Sequence, residues 1–209
     1  MSSKNEDLVE KYSEDISTIK GLLLQVDETP MVESWAFFIW GAMVLIGTVL
    51  HYFAATAWKL SLAAIFTEIW LPAMLVAILV ESLALLKKLG KRHIPIFSRT
   101  TVNMYLAITG MFIVFCFIII GIISKGNHAL LPSFLLTMLS MFFLVYAQNT
   151  YYNFMYPFGY ALILAGILLY IFEISLLPGM MITGILYGTS CLVIGIIAHR
   201  KERVAHGKE

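Results

Sequence analysis

The sequence predicts an all-α fold, a polytopic transmembrane helix bundle with six spans and an N-terminal cytoplasmic amphipathic helix. Three observations carry that expectation. The 209 residues are 60% hydrophobic and 13% charged, with a mean hydropathy of +0.86, a balance found in integral membrane proteins and not in soluble domains of this length. Apolar runs of bilayer-crossing length follow one another, separated by short polar links. Lysine and arginine concentrate on alternate links. The chain divides into a leader helix over 1–28, a six-span domain over 29–199 and a basic cytoplasmic tail over 200–209.

The leader begins with Ser3-Lys4-Asn5-Glu6, the pattern of a capping box, which satisfies two free amides at a helix start. Leu8, Tyr12, Ile16, Ile19, Leu23 and Val26 then recur at spacings of three and four, which puts them on one stripe. The other face carries Glu6, Asp7, Glu10, Glu14 and Asp15. An acidic face is repelled by anionic lipid. Residues 3–26 are therefore expected to meet a cytoplasmic protein partner or a second copy, or to fold back on the bundle. No cleavable signal peptide is read, and the first span is expected to be an uncleaved anchor.

Thr29 and Pro30 suit an N-cap and a first helical position after the break at Asp27-Glu28. Residues 35–53 form the first expected span, with Trp35, Trp40, Tyr52 and Phe53 as interfacial aromatics and His51 at its far end. A short link over 54–59 leads to the second span, 60–86. A straight helix of that length runs to roughly 40 Å, more than the hydrocarbon core, so it either kinks at Pro72 or begins in the interface. Residues 87–103 form a basic loop with Lys87, Lys88, Lys91, Arg92 and Arg99, broken at Gly90 and Pro95. The remaining spans are read at 101–124, 129–148, 158–177 and 180–198, with Pro178-Gly179 turning the chain before the last.

Six spans put both termini on one side, and the basic loop and basic tail fall there too. Only Lys59 and Lys125 lie in links on the other side. The expected location is the cell (plasma or inner) membrane, multi-pass, with both termini cytoplasmic. The basic loop is expected to hold anionic lipid headgroups. A net charge of +1 points to neither nucleic acid nor an acidic substrate.

The second span contains an ionisable residue and a proline together. Pro72 removes the amide that would bond the carbonyl of Glu68, and an ionisable group within a span is a functional candidate. Topology gathers His51, Glu68, His128 and Glu173 toward the outer face as a candidate intramembrane polar site. These are zinc-ligand types, but they come from different elements without helical ligand spacing, so no metal is expected. Glu68 and Glu81, about 20 Å apart along a helix, make no pair. Cys116 and Cys191 read as small buried hydrophobes.

On the sixth span Gly184, Gly188, Cys191 and Gly195 follow a 4-3-4 spacing that lets helices approach closely in lipid. A seam within the monomer is the expectation, and dimerisation the alternative. Gly159, Ala161, Ala165 and Gly166 offer a similar surface on the fifth span. Ile108-Thr109-Gly110 in the third span matches Ile182-Thr183-Gly184 in the sixth, and Glu68-Ile69 in the second matches Glu173-Ile174 in the fifth. These imply incompatible pairings, and no repeat architecture is assigned.

There is no H-E-x-x-H and no G-x-S-x-G, and no aspartate follows Asp27. Ser190 has no histidine partner in reach of its span's middle. No enzyme activity and no cofactor are expected. Two functions remain: a non-enzymatic membrane module (anchor, sensor or partner-binding subunit), and a small proton-coupled transporter or channel using Glu68. The first is preferred because the fourth and sixth spans carry almost no polar lining. In a background freed of Cys116 and Cys191, a membrane-impermeant thiol reagent should label Gly126→Cys from outside the cell and leave Arg92→Cys unlabelled. The reverse pattern would invert the topology.

Overall fold

The computed structural model describes residues 34–92, 99–149 and 152–205, together with Tyr12 and Ile16, and the regular structure among them is all helical. The elements are α1 (Ser34–Thr56), α2 (Leu62–Ile65), a π-helical turn (Phe66–Trp70), α3 (Leu71–Arg92), α4 (Arg99–Ser124), a 3-10 turn (His128–Leu130), α5 (Leu131–Asn149), α6 (Met155–Ile171) and α7 (Leu176–Ala205). Among the described residues four stretches are long and apolar enough to cross a membrane: Ser34–Thr56, Leu62–Val80, His128–Gln148 and Leu176–Lys201. Ile113–Ser124 and Met155–Ile171 are shorter apolar helices. Of the leader, only Tyr12 and Ile16 lie within the described residues; both are helical and exposed.

Local chemistry explains the breaks. Ser61 caps α2, its Oγ accepting from the Ala64 amide at 3.2 Å. A regular helix would press the Pro72 ring toward the Glu68 carbonyl. The chain instead widens one turn earlier, where the Leu71 amide reaches back five residues to the Phe66 carbonyl. The stretch expected as one helix over 60–86 is thus two helices joined by a π turn, and α3 continues through Gly90 to Arg92. The turn expected at Pro178-Gly179 lies earlier, over 172–175. Pro178 sits inside the first turn of α7, where a missing amide hydrogen costs nothing. The tail remains helical to Ala205.

Each of the links at this end of the bundle closes with one left-handed residue. Lys59 (φ 53°), Gly126 (φ 72°) and Glu173 (φ 48°) take that conformation. The amide that follows each then bonds a carbonyl in the helix just ended: Leu60 to Ala54, Asn127 to Ile122 and Ile174 to Leu169. A glycine does this without strain; the lysine and the glutamate hold a conformation that side chains disfavour.

Packing centres on α7. It runs antiparallel to α1 along glycines. A Cβ on Gly188 would stand 2.8 Å from Leu45 Cγ, one on Gly41 2.8 Å from the Gly188 carbonyl, and one on Gly195 3.3 Å from Phe37 Cβ. A Cβ on Gly184 would overlap the Thr48 hydroxyl. Thr48 turns that hydroxyl into its own helix, donating to the Val44 carbonyl at 2.7 Å. Cys191 is fully buried on the same face, and both Cys116 and Cys191 are free thiols.

α5 and α6 form a second antiparallel pair, with Gly159 against Leu144 and Gly166 against Thr137. Ser133 Oγ donates across this pair to the Gly166 carbonyl at 2.7 Å. Thr183 Oγ1 donates to the Pro132 carbonyl at 3.1 Å, and Phe143 stacks on Tyr187 at 5.1 Å; both contacts join α5 to α7, which run parallel. Such interhelical hydroxyl bonds and close backbone approaches hold helices together where lipid supplies no hydrophobic drive. α3 and α4 are peripheral: α3 packs on α1, and α4 packs on α5 and the 3-10 turn.

This packing predicts opposite outcomes for two glycines. Gly188→Leu overpacks the α1–α7 seam and should cost about 1–3 kcal/mol, read as a lower Tm in detergent. Gly110→Leu on α4, where nothing lies within 4 Å of an added Cβ, should leave Tm unchanged. Equal responses would show that the seam is not close-packed.

Candidate functional site

The candidate polar residues all come from the end of the bundle that carries the links over 57–61, 125–127 and 172–175. They do not assemble. Among the described residues no hydrogen bond or ion pair joins any two of His51, Glu68, His128 and Glu173, and no group of three potential metal ligands forms. Glu173 is the left-handed residue that ends α6 and is exposed. His128 opens the 3-10 turn, and its Nδ1 is buried without a hydrogen-bond partner. Glu68 is exposed on the π turn, pointing away from the bundle.

His51 differs from these three. It lies on the last turns of α1 and is 2% exposed. Trp70, the last residue of the π turn, donates its Nε1 hydrogen to His51 Nδ1 at 3.0 Å. The rings meet edge to face, 6.2 Å between centroids and 67° between planes. Indole nitrogen is only a donor, so Nδ1 must be the unprotonated nitrogen and the imidazole is neutral, with its hydrogen on Nε2.

One turn earlier on α1, Gly47 leaves a notch for the indole: a Cβ there would stand 3.2 Å from the Trp70 ring. Gly47 and His51, four residues apart, share one helix face. Together they make a seat, with an open floor and an acceptor at its rim. The π turn changes the register of the side chains within and after it, and its last residue, Trp70, reaches that seat.

Sequence reasoning singled out His51 but not its partner. A tryptophan in mid-span needs an acceptor for its indole hydrogen, and that signal was present. Which acceptor it finds depends on the π turn, which no spacing rule announces.

The opposite end holds a separate polar group. Ser34 Oγ and His199 Nδ1 stand 3.3 Å apart, linking the start of α1 to α7. Lys201 lies over the Phe154 ring at 4.8 Å, a cation–π contact that ties α7 to the start of α6. Between the two ends the interior is aromatic. A cavity of about 20 Å³ lies among Phe37, Trp40, Phe143, Tyr146, Tyr187 and Cys191, room for roughly one water. The chain matches no protein-family model, no curated protein and no solved structure.

Proposed function

We infer that the chain is an integral protein of the cell (plasma or inner) membrane acting as a non-enzymatic membrane module, a sensor or partner-binding anchor. One observation carries the reading: among the described residues the interhelical space is filled, not lined. Glycine seams and stacked aromatics close the α1–α7 and α5–α7 contacts, and the cavity among them is water-sized. The hydroxyls of Thr48, Thr137 and Thr189 donate to carbonyls of their own helices and so present no polar path.

Six crossings with both termini cytoplasmic fit this reading. α4 and α6 join the four longer stretches, and the antiparallel α1–α7 and α5–α6 pairs agree with alternating spans. The basic loop would then lie against anionic headgroups. Tyr12 and Ile16, the described residues of the leader's apolar stripe, are exposed four residues apart, which suits a protein partner or a second copy.

The alternative, a proton-coupled transporter or channel using Glu68, draws on one feature: the π turn and Pro72 flank that carboxyl group, and π turns recur at functional sites. Against it, Glu68 faces outward. The two readings separate in liposomes of phosphatidylethanolamine and phosphatidylglycerol loaded with a pH-sensitive dye. Under an imposed pH gradient or potential, the wild type and Glu68→Gln should both match protein-free vesicles. Proton flux in the wild type that Glu68→Gln abolishes would establish the transporter.

A further inference from the structure

We propose that Trp70 and His51 form a proton-operated clasp that docks the second membrane helix on the bundle and releases it when the outer side is acidified. The proposal rests on the sensor reading above and gives it a stimulus.

Among the described residues, the clasp is a polar attachment of a sparsely packed helix. α2, the π turn and α3 pack on the bundle through α1. Only 11% of the Leu62–Val80 stretch is buried, against 33%, 39% and 44% for the other three long apolar stretches. Leu71, Leu75, Ile78, Leu79 and Leu83 are all exposed. A helix so sparsely packed is held by few interactions, and the Trp70 indole in its Gly47 notch, bonded to His51 at 3.0 Å, is the most specific of them.

The geometry fixes the chemical sense of the switch. His51 accepts through Nδ1, which is possible only while the ring is neutral. On protonation both ring nitrogens carry hydrogen, and Nδ1–H then faces the Trp70 N–H, donor against donor. The bond is lost, and a charge appears at a 2% exposed position, where desolvation penalises it. Both costs fall when Trp70 leaves the notch and water reaches the ring. The clasp is therefore held at high pH and opens as pH falls through the His51 titration.

The groups around His51 leave it in command of that transition. α1 holds no acidic or basic residue besides His51, and its neighbouring titratable group is Tyr52. The following link contributes Lys59, and α2 contributes none. From the π turn comes Glu68, exposed two residues before Trp70. On α3 the first ionisable residue is Glu81, roughly 16 Å of helix beyond Trp70. From Leu176 to Ala198, α7 offers only Tyr187 and Cys191, both toward the other end.

The hinge is in place as well. The π turn and Pro72 interrupt regular bonding between α2 and α3, so α3 can swing without unwinding its own length. Because α3 continues to Arg92, release at one end of the bundle moves the basic segment at the other.

The test uses the full-length protein in nanodiscs and amide hydrogen exchange over residues 62–71, corrected for the intrinsic pH dependence of exchange. Between pH 8 and pH 4.5 the wild type should lose protection roughly tenfold or more, the loss expected when a buried donor is left unbonded. His51→Gln keeps an acceptor that does not titrate and should hold its protection at both values. His51→Phe should be unprotected at both. Unchanged wild-type protection, or a loss in His51→Gln equal to the wild type's, overturns the clasp. Proton flux in the vesicle experiment would sink the module reading without altering these protection factors, so the two failures are distinguishable.

Discussion

The close approach of α1 to α7 is the constraint on which the rest of the bundle depends. Helices in a bilayer gain no hydrophobic energy by touching one another, so they associate where backbones come near enough for dense dispersion contact and for hydroxyl-to-carbonyl bonds. Gly41, Gly184, Gly188 and Gly195 allow that approach from Ser34 to Thr48 on α1. With α7 fixed on one side by α1, its other side accepts α5 through Thr183 and the Tyr187–Phe143 stack. α5 in turn carries α6. Lose the first seam and α7 has no fixed position from which to gather the others.

The periphery follows the opposite rule. Among the described residues, Leu106, Ile113, Phe117 and Ile120 on α4 are as exposed as Leu71, Leu75, Leu79 and Leu83 on α3. Gly110 lies open and Gly121 meets nothing within 4 Å. The molecule thus joins a close-packed core to two helices whose described residues are largely exposed. The attachment of α3 includes its packing on α1 and, at its start, the Trp70 indole of the π turn in the Gly47 notch, bonded to His51. Tertiary packing of so few residues is the low-stability end of a fold, where conformational response is cheapest.

Much of this was legible in the sequence. Apolar run length located the long helices, because the cost of exposing backbone polar groups to lipid enforces helix over the whole run. The 4-3-4 spacing of Gly184, Gly188, Cys191 and Gly195 named a face, and that face meets α1 within the same chain. What stayed hidden depends on register. Glu68 drew attention as an ionisable residue beside a proline, yet the π turn that relieves Pro72 turns Trp70 inward and leaves Glu68 outside. Glu173, a candidate site residue, also holds the left-handed conformation that ends α6. Pro178 looked like a turn and lies in the first turn of α7, where helices tolerate proline. In each case local chemistry was read correctly as unusual, and the tertiary frame decided which neighbour benefited.

The central claim, that α1 and α7 pack as a glycine seam inside one chain, is tested most directly by cross-linking in native membranes. In a background without Cys116 and Cys191, Phe37→Cys and Gly195→Cys place Cβ atoms about as close as a disulfide needs, given 3.3 Å between Phe37 Cβ and a Cβ at position 195. Mild oxidation should join the two within one chain, giving a monomer of altered gel mobility and no dimer band. A bond formed only between copies, or none at all under conditions that oxidise exposed thiol pairs, would contradict it.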